Sequence, residues 1–359
     1  MIMSRFFSKK YESLVPYTPG EQPKGRTFIK LNTKESPFPP SPKAQEGAKR
    51  EVELLQLYPD PTCSALVNKM AQVLGVKSEN VLMGNGSDEV LNFAFMAFCD
   101  KEHPAAFADI TYGFYSVFAE LNGVPYLEIP LNENFTLPVE EFCKIPHTLF
   151  IANPNAPTGL AISLSDIERI LSSNPDRVVV IDEAYVDFGG QSAVSLIDKY
   201  ENLLVTGTFS KSRSMAGARL GYGVANAALI GDLHTLRNST NPYNINRMTM
   251  AAGIGVLEDE EYTKENCKKI IATRARTAKE LEKLGFEVIP SLTNFLFAKK
   301  EGLSGMAFYK SLREKGVLVR HFETPRLKDY NRITVGSDEE MDAFLQATRE
   351  ILKEKEEWA

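Results

Sequence analysis

Short apolar runs alternate with amphipathic ones along most of the chain, and the alternation changes character twice. Up to residue 42 it is interrupted by prolines at positions 16, 19, 23, 37, 39, 40 and 42. Proline lacks the N–H that a helix interior or a central strand requires. This stretch therefore predicts an extended arm, with Phe28-Ile29-Lys30-Leu31 as its β-like piece. Helical spacing follows over 42–57, stopped by Tyr58-Pro59-Asp60-Pro61, and again over 64–74, closed by Gly75.

From residue 81 the apolar runs shorten. Residues 81–83, 105–107, 125–129, 148–152, 177–181 and 202–206 read as strands, with helices over 88–99, 113–121 and 165–171 between them. Apolar strands alternating with helices predict a mostly parallel sheet with helices on both faces, an α/β fold. Beyond residue 264 the pattern changes again. A charged amphipathic helix over 264–284 ends at Gly285, followed by strands at 287–289, 294–298, 317–319 and 332–335 and helices over 304–315 and 338–355. That reads as a smaller α+β unit. The expected division is an arm (1–36), a large domain (37–246) and a small C-terminal domain (247–359), in keeping with about 100–200 residues per domain.

Composition narrows the class. Hydrophobic residues make up 43% and charged residues 25%, so disorder, collagen and coiled coil are excluded. A net charge of −6 argues against nucleic acid as a partner, while a few local arginines can still bind a small anion. Cys63, Cys99, Cys143 and Cys267 form no CxxC pair, and His103, His147, His234 and His321 are as scattered. No metal site is expected, and the cysteines read as free thiols in a reducing compartment. The first residues carry Arg5, Lys9 and Lys10 without an apolar core, unlike a secretory signal. No apolar stretch approaches the roughly 18 residues of a membrane span. The expected location is cytoplasmic, with no membrane partner.

Four segments carry candidate chemistry. Gly84-Asn85-Gly86-Ser87-Asp88-Glu89 joins a strand to a helix; glycines and a helix start can receive an anion, although many plain turns look the same. Asn153-Pro154-Asn155-Ala156-Pro157-Thr158-Gly159 follows a strand end, where open α/β sheets bind ligands; it also suits a simple turn. The strand ending in Ile181-Asp182-Glu183-Ala184-Tyr185 delivers a carboxylate that needs a partner: a cationic ring nitrogen, a metal, an arginine or a helix start. Thr208-Phe209-Ser210-Lys211 sets a lysine in a polar turn, with Arg219 eight residues on. Such an amine can form a Schiff base, or stand in solvent as most lysines do.

Taken in order, with Asp182 and Lys211 29 residues apart, the four segments resemble the fold-type I aminotransferases that depend on pyridoxal 5′-phosphate, and most closely the histidinol-phosphate aminotransferase family. The resemblance spans almost the whole chain: LNTKESPFP from residue 31, YPDP at 58, GNGSDE at 84, TYGFY at 111, NPNAPTG at 153, IDEAYVDF at 181, FSKSRSMAGARLGY at 209 and NRITVG at 331. It implies that Lys211 holds the cofactor as an internal aldimine and, once freed, moves the proton at the substrate's α-carbon. It implies that Asp182 pairs with the ring nitrogen, Tyr185 donates to the ring hydroxyl, and Tyr112 stacks on the ring. Ser87, the amide of Asp88, Ser210 and Arg219 hold the phosphate, reached also by Tyr58 of a neighbouring subunit in a homodimer. Arg332 clamps a substrate anion, with Tyr17 and Arg320 near the substrate's distal phosphate.

Two positions depart from the family pattern. The residue before Pro-Thr-Gly is Ala156 instead of asparagine, so Asn155, Asn153 or Tyr185 alone takes over the contact to the ring oxygen. The arm reads Lys34-Glu35-Ser36-Pro37 in place of Asn-Glu-Asn-Pro, and a lone lysine there is expected to be a solvated charge.

The expected reaction is transfer of the amino group of L-histidinol phosphate to 2-oxoglutarate, giving imidazole acetol phosphate and L-glutamate. Arg320 and Arg332, on either side of the segment 321–331, suit a phosphate dianion; one of them could serve a structural salt bridge instead. Rival readings are an aromatic amino acid aminotransferase, a threonine-phosphate decarboxylase-like enzyme, or an inactive ligand-binding protein. The last is disfavoured because Lys211, Asp182, Tyr185 and Arg219 are all present. A dehydrogenase is disfavoured because no GxGxxG follows an early strand.

Overall fold

The computed structural model describes residues 4–18, 20–22, 25 and 27–356; Pro19 and Pro23 of the expected arm lie outside the described residues. The arm contributes a short strand, β1 (Ile29–Lys30). Seven strands then form the central sheet: β2 (Val81–Gly84), β3 (Ala105–Ala108), β4 (Tyr126–Ile129), β5 (Thr148–Ala152), β6 (Val179–Asp182), β7 (Leu203–Thr208) and β8 (Gly221–Ala225). Their order is β2-β8-β7-β6-β5-β3-β4. The strands from β7 to β4 run parallel, and β8 runs antiparallel to both its neighbours.

Alternation along each strand feeds two cores, because successive side chains point to opposite faces. Leu149, Ile151, Val179 and Ile181 face the helices Ser64–Leu74, Leu164–Ser173 and Arg247–Leu257. Phe150, Ala152 and Val180 face Ser87–Phe98, Phe114–Asn122 and Ala227–Thr240. Burial on both faces explains why these strands read as unbroken apolar runs.

Strand β8 is absent from the sequence-based pattern, and its glycines are the reason. A Cβ on Gly221 would lie 2.2 Å from the backbone nitrogen of Ser87. The strand gives up β propensity so that the loop before the helix at Ser87 can come close.

The C-terminal part holds β9 (Glu287–Ile289), β10 (Phe295–Lys299), β11 (Val317–Leu318), β12 (Arg320–His321) and β13 (Asn331–Thr334). A second sheet has the order β12-β13-β10-β9, antiparallel throughout, while β11 pairs in parallel with β1 of the arm. Leu281, Leu296, Phe308 and Phe344 pack its core, and Glu260–Lys283, Gly305–Glu314 and Asp338–Glu356 are its helices.

The helix expected over 42–57 stops at Arg50, with one 3-10 turn at Val52–Leu54. Val52, Leu54, Leu55, Leu57 and Tyr58 are exposed. Helical periodicity needs an apolar face to bury, and within this chain that stretch has none.

Candidate active site

The inner cavity forms at the carboxyl ends of β5, β6 and β7. Register places Asp182 between Ala152 and Thr206 on the flanking strands. The residue is 5% exposed, and its carboxylate accepts hydrogen bonds from Tyr115 Oη at 3.0 Å, the Ala184 amide at 3.3 Å and Thr206 Oγ1 at 3.4 Å. Burial raises its pKa to about 6 against the pull of the Tyr115 bond. No cation bonds it among the described residues, so a buried acid is left needing a positive partner.

Lys211 follows β7 in a tight loop closed by Phe209 N–H to Leu220 O and Met215 N–H to Phe209 O. Its amine lines the same cavity, of about 170 Å³. Burial, then the charges of Arg332 and Arg219, lower its pKa to about 8. An amine in that range is readily neutral, the state a nucleophile or base requires.

An anion cradle occupies the cavity's other end. The helix Ser87–Phe98 begins after Gly86, which has φ 82° and provides no side-chain cap, leaving the first-turn N–H groups open. Arg219, itself at φ 54°, crosses Gly86 so closely that a Cβ there would lie 2.8 Å from Nη2. That nitrogen pairs with Asp88 Oδ2 at 3.0 Å, and Tyr112 Oη donates to Asp88 Oδ1 at 2.7 Å. Ser87 and Ser210 line the same space. The donor cluster, the depressed amine and the unpaired acid are the complements of a phosphate, a carbonyl carbon and a protonated ring nitrogen, and so fit pyridoxal phosphate.

A larger outer cavity of about 620 Å³ adjoins it, sharing Tyr17, Thr33, Lys34, Tyr112 and Ala156 with the inner one. Arg320 and Arg332 are direct register partners on β12 and β13, and both line this space. Arg332 is 8% exposed. Its Nη2 donates to Asn32 O at 2.9 Å, and its guanidinium lies 5.4 Å from the Phe295 ring and 5.8 Å from the Phe322 ring. Its Nε is buried without a partner, and burial lowers its pKa to about 10, with Arg320 acting in the same sense. Arg326, a third arginine here, is paired with Asp109 at 3.2 Å. Among the described residues neither Arg320 nor Arg332 has a carboxylate partner. Tyr17 stacks on Phe114 with centroids 4.2 Å apart.

Three expectations are altered. Asn155 stays outside the inner cavity: Thr111 Oγ1 donates to its Oδ1 at 2.8 Å, and its Nδ2 donates to Ile110 O and Thr158 Oγ1. Its amide is spent on bracing the turn, and Ala156 lines the cavity instead. Lys34 is not a solvated charge. It lines both cavities, because the arm is tied to β13 through Thr334 N–H to Leu31 O and Lys34 N–H to Thr334 Oγ1. Asp88 offers more than an amide, since its side chain joins Tyr112 to Arg219.

Tyr58 lines neither cavity. It is 80% exposed and stacks on Tyr243 at 4.7 Å. Tyr115 and Thr206, which hold Asp182, escaped sequence reasoning. Tyr115 lies 67 residues from Asp182, and only strand register brings Thr206 alongside.

Comparison with known proteins bears on this geometry. The family "Aminotransferase class I and II" matches residues 26–347. A histidinol-phosphate aminotransferase of Marinomonas sp. is 51% identical over 353 residues, covering 97% of this chain and 100% of that protein. One from Clostridium acetobutylicum is 45% identical over 351 residues, covering 98% and 100%. Among solved structures, histidinol-phosphate aminotransferase from Sinorhizobium meliloti in complex with pyridoxal-5′-phosphate matches with a TM-score of 0.89 at 22% identity, over 98% of this chain and 99% of that one. L-threonine-O-3-phosphate decarboxylase from Porphyromonas gingivalis matches with 0.77 at 21% identity, over 90% and 99%. At those identities the two structures speak for a shared fold alone.

Proposed function

The chain belongs to the class I and II aminotransferases, and from that premise we propose that it transfers the amino group of L-histidinol phosphate to 2-oxoglutarate, in histidine biosynthesis. It is an aminotransferase dependent on pyridoxal phosphate. Bound in the inner cavity, the cofactor supplies an electron sink for charge developing at the substrate's α-carbon.

The chain's own residues divide the remaining work. Lys211 Nζ, whose pKa burial lowers to about 8, would attach the cofactor and, once freed, would accept and return the α-proton. Asp182 holds the proton on the ring nitrogen, since a nearby anion favours the charged form. Tyr185 would donate to the ring hydroxyl, and Tyr112, tethered to Asp88, would lie against the ring. Ser87, the Asp88 amide, Ser210 and Arg219 would hold the phosphate.

The observation that carries the substrate reading is the Arg320–Arg332 pair, side by side on β12 and β13, neither bonded to a carboxylate among the described residues. Histidinol phosphate has no carboxylate, and its phosphate is its only anion. Two guanidinium groups can give a dianion several charge-assisted bonds. The full-length relatives of the same activity support this reading. The decisive experiment compares kcat/KM for histidinol phosphate, glutamate, aromatic amino acids and O-phosphothreonine as donors, with carbon dioxide monitored. Histidinol phosphate is expected to lead without gas release. Decarboxylation of O-phosphothreonine faster than any transamination would overturn the reading.

The active unit is proposed to be a cytoplasmic homodimer, in keeping with the free cysteines and with the exposed apolar stretch 52–58, from which Tyr58 would reach the partner's phosphate cradle. Mixing Lys211→Ala with Tyr58→Phe subunits should then restore activity, because one hybrid site regains both residues. Mixtures no more active than the sum of the parents would refute shared sites.

A further inference from the structure

Lys34 stands where the two cavities meet. Its backbone is held on both sides: the N–H donates to Thr334 Oγ1 at 3.0 Å, and the carbonyl accepts from Asn294 Nδ2 at 3.0 Å. Its φ of 61° lies in the left-handed region, unfavourable for a residue with a Cβ, so the surrounding structure enforces it. The ammonium lies 5.8 Å from the Tyr112 ring centroid and 5.6 Å from that of Tyr185. Facing it are the cations Arg332 and Lys211 and the acids Asp88 and Asp182, with the phenols of Tyr112, Tyr185 and Tyr17. Among the described residues no carboxylate forms an ion pair with it, and both nearby acids are committed to other donors. Burial, then Arg332 and Lys211, hold the amine well below the usual lysine range. Lys34 is half-buried, and an amine so placed without a counter-ion is a binding group awaiting an anion.

Two of the cations here, Arg332 and Lys34, differ in freedom. Arg332 is pinned by the Asn32 carbonyl and two phenylalanine rings, whereas a lysine carries a compact charge on a flexible stem. The two substrates differ in a matching way. Glutamate bears a carboxylate on the reacting carbon, while histidinol phosphate bears its phosphate on the neighbouring hydroxymethyl group. One fixed guanidinium cannot meet both positions equally well. We propose that Lys34 is a specificity-determining residue, a movable cation that engages the substrate anion nearest the reacting carbon in each half-reaction, beside a stationary Arg332. This rests on the aminotransferase reading of the site.

The test replaces Lys34 in the full-length holoenzyme. Lys34→Met should reduce the preference for histidinol phosphate over unphosphorylated histidinol about ten- to a hundred-fold, mainly through KM, and weaken glutamate comparably. Lys34→Arg should restore part of the loss. A second readout requires no turnover. Calorimetry of 2-oxoglutarate binding to Lys211→Ala protein, in buffers of different ionisation enthalpy across a pH series, should show proton uptake, because an anion raises the depressed amine pKa. Adding Lys34→Met should remove the uptake. Equal losses on histidinol and histidinol phosphate, or proton uptake that persists without Lys34, would overturn the proposal. A wild-type enzyme inert toward histidinol phosphate would refute that donor separately, and the glutamate and calorimetric arms would still decide the role of Lys34.

Discussion

In the inner cavity the acids are tied into the chain: Asp182 by Tyr115, Ala184 and Thr206, Asp88 by Tyr112 and Arg219. In the outer cavity Arg320, Arg332 and Lys34 lack any carboxylate partner among the described residues. The contrast matches what each space receives. A cofactor that stays can be met by groups fixed in advance, since preorganised dipoles need no rearrangement during reaction. Substrates that alternate are better met by cations whose counter-ion arrives with the ligand.

If that division holds, inner-cavity variants should fail alike on every donor, and outer-cavity variants should fail selectively. Lys211→Ala should reduce kcat on the order of 10³–10⁴-fold or more, by the same factor for histidinol phosphate and glutamate. Steady-state assays with both donors check this, and a donor-dependent loss would break the division.

Asp182→Asn should cost about 10²–10³ in kcat and show an opposite effect on stability. Burial raises the Asp182 pKa to about 6. Its contribution to the cofactor-free fold is therefore fully present below the ordinary value near 4 and is lost as pH rises through 6. Asparagine does not titrate. The cofactor-free variant should unfold like wild type near pH 4 and be more stable by about 3 kcal/mol at pH 7.5. Thermal unfolding at the two pH values gives the answer.

The smallest effects belong to the arginines. Arg332→Ala should lower kcat/KM for histidinol phosphate about ten- to a hundred-fold. Arg320→Ala, at a half-buried position, should sit at the lower end of that range. Both losses should exceed those on an unphosphorylated aromatic donor; equal losses would make the arginines structural.

The same two regions differ in how far the sequence discloses them. Asp182, Lys211 and the Gly86 turn fall at strand ends within apolar runs, so period and punctuation locate them. Strand β8 escapes because its glycines serve close approach to Ser87 and leave no apolar alternation. Arg320 and Arg332 are legible as two arginines near one site, but their direct pairing depends on a hairpin of two very short strands. Lys34 is misread because its setting comes from contacts with Thr334 and Asn294, 300 and 260 residues away. Asn155 is misread because hydrogen bonds to Ile110, Thr111 and Thr158 turn its amide from the cavity. Local pattern reveals Asp182, Lys211 and the Gly86 turn; contacts between distant segments decide Asn155 and the groups carried by the arm and the second sheet.

Two lysines, Lys211 and Lys34, line the inner cavity, and cofactor attachment belongs to the first alone under the proposed function. Borohydride reduction of the holoenzyme, followed by digestion and mass spectrometry of the peptides, distinguishes them in one measurement. A single pyridoxyl group is expected on the peptide containing Lys211, retained in Lys34→Met protein and absent from Lys211→Ala. A pyridoxyl group on Lys34 in the wild-type enzyme would contradict that assignment.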